Sequence, residues 1–133
     1  MSQATAAPAS PTKDVGAVAL RTAINIMEKW QASTKQIENV LRISRSTYAR
    51  AKDQQRAVSL DSDQMARISL VLNMHAALRT VFDNPDNVYG FVSMKNSNDF
   101  FDGQSPLEVM AQGSFIQLYE TFRRIDVLRG AQW

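Results

Sequence analysis

Residues 33–53, STKQIENVLRISRSTYARAKD, carry two short helical patterns separated by three residues. Ser33 followed by Gln36 forms a capping box, in which the hydroxyl accepts the amide of the third helical residue and the glutamine returns to the cap amide. A helix over about 34–41 follows, and Ser44 caps a second one over about 45–53. Ile37, Leu41, Ile43 and Tyr48 fall where the two helices would pack, so the pair has the length and apolar spacing of a helix-turn-helix. The second helix presents Arg45, Ser46, Thr47 and Arg50 from its first turns, with Arg42 and Ser44 just ahead. Arginine binds guanine through two parallel hydrogen bonds, hydroxyls and arginine anchor phosphates, and a helix N-terminus adds a favourable dipole. Two positions depart from the usual pattern. Glu38 stands where a small residue lets the helices approach, and Arg42 stands where the turn commonly has glycine, so packing with weakened DNA affinity is expected. A three-helix bundle with a solvated basic face is the competing reading. One copy offers few phosphate contacts, so a DNA role calls for a dimer on a two-fold site.

Composition bounds the rest. The 133 residues are 44% hydrophobic and 21% charged, which is ordinary globular usage. There is no cysteine, which removes disulfides, thiolate nucleophiles and cysteine-built zinc sites, and a single histidine, His75, cannot build a histidine cluster or triad. His75 is expected to pack on an apolar helical stripe. No cofactor, no metal and no catalytic group is expected, so the chain is read as a non-enzyme. The N-terminal MSQATAAPASPTK lacks the pattern of a signal peptide, and no apolar run reaches a membrane span of about 18 residues. A cytoplasmic protein with a flexible tail over residues 1–13 is the expectation. Net charge is +2 but unevenly placed, with nine Lys/Arg against four acids up to Leu60 and six against nine afterwards. A basic front half suits a polyanion and an acidic rear half does not.

Helical periodicity continues on both sides. Ala19, Ala23, Ile26, Met27 and Trp30 predict an amphipathic helix from about Asp14, its N-cap, to Gln31. Asp61 with Gln64 repeats the capping box before Met65, Ile68, Leu72, His75, Leu78 and Phe82, widened by Leu70, Met74 and Val81. Ser105, Pro106 and Glu108 are three helix-start signals in four residues, and Gly113 stops what they begin. Ser114 with Gln117 opens a last helix with Phe115, Leu118, Tyr119, Phe122 and Ile125 on one face, closed by Arg129 and a left-handed Gly130. Only residues 87–94 are ambiguous between helix and strand. The fold class is all-α: a helix-turn-helix bundle over 14–60, then a small helical domain over 61–133.

The run RISLVLNMHAALRTVFDNPDNVYGFV (67–92), followed by NSNDFFDGQSPLEVMAQGSFIQLYETFRRIDVLRG (96–130), resembles the toxin-binding domain of the Xre/MbcA/ParS antitoxins. The preceding helix-turn-helix resembles the Xre-like domain that accompanies it. The matching positions are Arg67 and Ile68, Leu78 and Phe82, Asn98, Phe101 and Gly103, Ser105 to Glu108, Gly113, and Arg129 with Gly130. The resemblance implies an antitoxin that binds and blocks a RES-domain toxin, an enzyme that consumes NAD or uses it for ADP-ribosylation. It also implies DNA-linked autoregulation, and antitoxin homodimers within a larger complex. A pocket for a pyrophosphate should be positive, so an acidic surface of Asp99, Asp102 and Glu108 would complement its rim, with Phe101, Gly103 and Leu107 as further toxin-binding candidates beside it. Arg123, Arg124, Arg129 and Trp133 supply residue types enriched at interface hot spots. They would plug the toxin's cofactor cleft; alternatively, the arginines only pair along the helix, as Glu120 and Arg124 can. The rival reading is a stand-alone transcription regulator whose rear half dimerises or senses a ligand.

Overall fold

The computed structural model describes residues 11–53 and 57–130. Among these, every regular element is helical: α1 Pro11–Lys29, α2 Thr34–Leu41, α3 Arg45–Lys52, α4 Ser62–Val81, α5 Pro85–Gly90, a 3₁₀ turn Phe91–Ser93, α6 Pro106–Met110 and α7 Phe115–Gly130. The expected all-α class holds. Helix α1 starts earlier than the sequence predicts, at Pro11, so Asp14 lies inside its first turn and not at its cap. Proline is favoured at a first helical position, where its missing N–H has no partner to lose. Residues 11–13 are therefore helix and not tail, and the tail expected over residues 1–10 lies outside the described residues.

The capping boxes form as the side-chain chemistry dictates. Ser33 Oγ accepts Gln36 N at 3.1 Å and Gln36 Oε1 accepts Ser33 N at 2.9 Å. Asp61 and Gln64 exchange the same pair at 2.8 and 2.9 Å, and Ser105 and Glu108 at 3.0 and 2.8 Å. At the start of α7 only half a box forms: Ser114 Oγ accepts Gln117 N at 3.4 Å, while Gln117 Nε2 donates to Gln112 Oε1. Gly113 takes φ +93°, the left-handed backbone that favours glycine, and Gly130 is simply the last helical residue. The ambiguous residues 87–94 are resolved as α5 and the 3₁₀ turn, because Asn84 Oδ1 accepts Asp86 N at 2.9 Å ahead of Pro85 at the first helical position.

Helix α4 is the axis of the molecule, with α1 and α2 against one side and α7 against another. Contact on two sides explains why its buried residues are Arg67, Ile68, Val71, Met74, Ala77 and Leu78, a set broader than and shifted from the predicted stripe. Met65, Leu72, His75 and Phe82 are only half-buried. The buried face of α7 is likewise rotated from expectation: Leu118, Thr121 and Ile125 point inward, leaving Phe115 and Tyr119 exposed. One core cluster runs from Leu20, Met27 and Trp30 through Ile37, Leu41, Ile68 and Leu78 to Met110, Leu118 and Ile125. His75 sits at the edge of that cluster, its ring stacked on Tyr89 at 5.4 Å, and burial, helped by the Arg79 and Lys29 charges, pushes its pKa down.

Because Ser105 is buried and Ser33 is exposed, their caps are unequal. Ser105→Ala leaves a Glu108 amide without its partner beside buried surface and should cost about 1–2 kcal/mol, whereas Ser33→Ala should cost about 0.5–1 kcal/mol. Urea unfolding midpoints of the two variants check the order.

Candidate nucleic-acid interface and partner face

The α2–α3 turn is built by residues that replace each lost backbone hydrogen bond. Ile43 N donates to Glu38 O at 3.1 Å, and Arg42, the C-cap of α2, takes φ 56°, ψ 46°, the left-handed conformation that glycine would ordinarily supply. Ser44 then caps α3: its Oγ accepts Thr47 N at 3.0 Å and lies 3.1 Å from Ser46 Oγ and 3.0 Å from Thr47 Oγ1. Three hydroxyls thus gather at the start of α3. Arg45 and Arg50 project from the same helix, exposed, and form no ion pair among the described residues. Lys35, exposed in the first turn of α2 and without an ion pair among the described residues, is a further cation that the sequence reading passed over. In helix-turn-helix complexes the first helix of the pair crosses the phosphate backbone, so a basic residue there is well placed.

Arg42 is not part of this face. Its guanidinium grips Asp61 and also Asp63, the latter at 2.6 Å. Hydrogen bonds from Arg42 hold the Asp61 and Asp63 carboxyls below the usual carboxylate range, and the same bonds raise the Arg42 pKa. A side chain held by two carboxylates has little attraction left for phosphate. Lys52 is similarly occupied: its Nζ lies 2.9 Å from both oxygens of Glu28, which also accepts Tyr48 Oη at 2.8 Å. Burial raises the Glu28 pKa, but the Lys52 and Tyr48 hydrogen bonds outweigh it and the net shift is downward. Of the five bases between residues 42 and 56, Arg56 lies outside the described residues, so Arg45 and Arg50 are the two described ones that remain available.

Beneath the turn lies Arg67, 6% exposed. Its Nε donates to Asp63 at 2.9 Å, and its Nη1 donates to Val40 O at 3.2 Å and Gly113 O at 3.0 Å. Burying a cation is strongly unfavourable without such partners, and a carboxylate plus two carbonyls supply them. Gln64 Nε2 completes the fastening by donating to Arg42 O at 2.9 Å.

The rear half separates the predicted partner residues into two groups. Phe101 and Leu107 are core residues, 2% and 4% exposed, so neither can touch a partner directly. They hold up the 96–104 loop, in which Gly103 N donates to Asn96 O and Asn96 N to Gln104 O, at 3.0 and 3.1 Å. Asp99, Asp102 and Gly103 stand exposed on that loop, with Asp102 at φ 52° and Gly103 at φ +83°. The arginines pair along α7 as the alternative reading held: Arg124 with Glu120 at 2.6 Å, Arg129 with Asp126 at 2.8 Å, and Arg123 with Glu120 at 3.7 Å. Arg124 also covers the Phe100 ring at 4.0 Å. Trp133 lies outside the described residues.

Sequence reading missed two exposed apolar surfaces. Ile116, 73% exposed, and Val127, 65%, flank Arg123 on the outer side of α7, with Tyr119 beside them. Their helical spacing marks a second apolar face on α7, a signal hidden by assigning all its large residues to one stripe. Val15 and Val18, with Ala19, Thr22 and Leu72, line an apolar groove between α1 and α4. Among the described residues no three of the His, Asp and Glu side chains gather as a metal site, and no helix is long and apolar enough to cross a membrane.

Residues 11–73 match the antitoxin Xre-like helix-turn-helix domain family, which spans α1 to the middle of α4. The chain is also similar to "Uncharacterized protein y4oB" of Sinorhizobium fredii (strain NBRC 101917 / NGR234), with 31% identity over 124 residues, covering 91% of this chain and 93% of that one.

The turn's ion pairs make an acid prediction. Asp61 and Asp63 have folded pKa values depressed below their unfolded ones, so their stabilisation is complete above the ordinary carboxylate range and is lost as pH falls through the lowered values. Wild-type protein should therefore lose stability below about pH 4, and Arg42→Gly, which keeps the left-handed turn without the guanidinium, should show a shallower loss. Arg42→Ala should be less stable than Arg42→Gly by about 1 kcal/mol at neutral pH, because alanine is strained at positive φ. Urea melts of the three proteins at neutral and acid pH read both effects.

Proposed function

Because this chain belongs to one family with the Sinorhizobium protein and carries an antitoxin Xre-like helix-turn-helix domain, we propose that it is the antitoxin of a toxin–antitoxin pair. Its partner on this reading is a RES-domain toxin that consumes NAD or transfers ADP-ribose from it. The antitoxin acts by stoichiometric occlusion of the toxin's NAD site, has no catalytic residues of its own, and represses its own operon by binding operator DNA. The observation that carries the DNA part is the exposed start of α3, where Arg45 and Arg50, without an ion pair among the described residues, flank the hydroxyls of Ser44, Ser46 and Thr47. Arg45 and Arg50 supply charge and base-edge contacts; the hydroxyls and the helix N-terminus hold phosphate.

The toxin-facing part rests on α7 and the 96–104 loop. Ile116, Tyr119, Arg123 and Val127 combine exposed apolar area with one outward cation, the composition of an interface centre. Asp99 and Asp102 give the neighbouring loop the negative charge that suits the rim of a pyrophosphate-binding cleft. Arg124 and Arg129, tied to Glu120 and Asp126, support this surface and contribute less charge than their number implies. On this reading two copies act together as a homodimer on a two-fold-related DNA site.

Two experiments test this reading. Arg45→Ala and Arg50→Ala should each weaken DNA binding and reduce the slope of log affinity against log salt by about 1, measured by fluorescence anisotropy across a salt series. An unchanged slope in both would move the contact elsewhere. Tagged chain recovered from its host should bring down a protein whose NAD-consuming activity appears only after the antitoxin is removed. Ile116→Glu with Val127→Glu, both on the outer surface, should abolish that co-purification while leaving the thermal midpoint within a few degrees. Recovery of DNA without a protein partner would favour a stand-alone transcription regulator.

A further inference from the structure

His75 is the chain's one histidine, and with no cysteine present it is the only side chain whose ordinary pKa lies between about 5 and 8. It stands on α4 with its ring stacked on Tyr89 of α5, the centroids 5.4 Å and the planes 21° apart. Its Nδ1 is buried and has no hydrogen-bond partner. A neutral imidazole tolerates this, because the proton can sit on Nε2 and leave Nδ1 as a bare lone pair. An imidazolium does not. Both ring nitrogens then carry hydrogens, and a buried charged donor without an acceptor is costlier than a neutral group.

The charges around the ring have the wrong sign to help. Lys29, at the end of α1, brings its Nζ to 5.2 Å from the Tyr89 ring centre, and Arg79 stands one turn beyond His75 on α4. Both are exposed, form no ion pair among the described residues, and act on His75 as positive charges. Of the nearby carboxylates, Glu28 on α1 is taken by Lys52 and Tyr48, and Asp83 is exposed in the link between α4 and α5. Asp86 on α5 lines the cleft beside Lys29 and Tyr89 without reaching Nδ1. What the ring holds is a short element: α5 has 6 residues, attached by Val88 in the core, by the Tyr89 stack, and by Phe91 just beyond it against Phe82 at 5.8 Å.

We infer that His75 is a pH-sensitive latch: neutral, it holds α5 against α4 through Tyr89, and protonation sets a third positive charge beside Lys29 and Arg79 and releases residues 85–93. The latch needs neither DNA nor a protein partner, so it is independent of the function proposed for the chain. Burial first, then the Arg79 and Lys29 charges, lower the folded pKa of His75 below its unfolded value. The folded state therefore takes up the proton less readily, and the stability the ring contributes is complete above about pH 6.5 and is lost as pH falls from there through the folded value. That window lies above the one in which Asp61 and Asp63 are protonated, so the two acid responses are separate. Mild acid loosens the link from α4 to the 96–104 loop while the helix-turn-helix keeps its fold.

One histidine gives one imidazole signal, so a proton NMR titration of the full chain follows His75 directly. Its midpoint should fall below the ordinary histidine value of about 6.5 and move back toward it in Lys29→Gln and in Arg79→Gln, both changes at exposed positions. Amide exchange, corrected for the intrinsic effect of pH, should quicken about fivefold or more at residues 86–93 between about pH 7.5 and about pH 5.5, while residues 37–41 keep their protection. His75→Phe keeps a ring to stack on Tyr89 but cannot titrate, so its 86–93 amides should show no such change. If that variant fails to fold, Lys29→Gln serves in its place and should reduce the acid quickening. A ring that titrates at or above the ordinary value, equal protection of 86–93 at both pH values, equal quickening at 37–41, or undiminished quickening in the variant used would each overturn the latch.

Discussion

A buried guanidinium is the constraint around which this molecule is arranged. Arg67 is surrounded by the end of α2, the first turns of α4 and the α6–α7 turn, and each of these supplies one acceptor. A cation there without partners would be costly by several kcal/mol, so the three segments can approach only in the geometry that delivers Asp63, Val40 O and Gly113 O together. An apolar side chain of similar size would permit burial but would specify no such register, and the orphan carbonyls at Val40 and Gly113 would need water or another donor. The consequence for function is positional. The helix-turn-helix does not stand apart on a linker; its α2–α3 turn is held from beneath by the same residue that holds the start of α7.

The electrostatic division seen along the chain is not a division in space. Asp61 and Asp63 belong by count to the acidic second half, yet they lie against Arg42 and Arg67 and neutralise part of the basic first half. Glu28 does the same to Lys52 from α1. On the described part of the helix-turn-helix, what is left for a polyanion is a smaller and more directed set, Arg45, Arg50 and Lys35 with three hydroxyls. Fewer free cations mean a weaker salt-dependent attraction per copy, since that term scales with the phosphates neutralised. Such a face gains most from being doubled by symmetry and from having its turn held rigid.

Local chemistry was legible in the sequence at most places where the partners lie three or four residues apart, the half-formed box at Ser114 and the cap expected at Asp14 excepted. The caps at Ser33, Ser44, Asp61 and Ser105, and the positive φ of Gly113, follow from side-chain reach and backbone sterics, and the structure places them there. The match of residues 11–73 to an Xre-like domain agrees with the helix-turn-helix read from 33–53. Long-range pairings were not legible. Nothing in the local pattern says that Arg42 will turn back to residues 61 and 63, about twenty positions on, or that Phe101 and Leu107 will be covered while Ile116 and Val127 are left out. Periodicity gives the existence of an apolar face but not its phase when a helix such as α4 has neighbours on two sides. For that reason the predicted stripe on α7 was turned from the observed one, and an outer apolar face went unread.

Arg42 shows how a departure from a pattern can be structural in origin. Glycine is usual at such a turn because left-handed backbone is strained by about 1–2 kcal/mol for a residue with a Cβ. Arginine is held in that conformation by two carboxylates, by Gln64 on its own carbonyl, and by a shared Asp63 that reaches Arg67. Isolated exposed ion pairs contribute about 0–1 kcal/mol, but a connected set anchored on a buried member has less freedom to lose and is worth more than its exposed pairs taken singly. A glycine would make the turn easier to form and would leave it attached to α4 by backbone alone. With arginine, the turn that leads into α3 is fastened by side chains to α4, the helix against which α7 also packs.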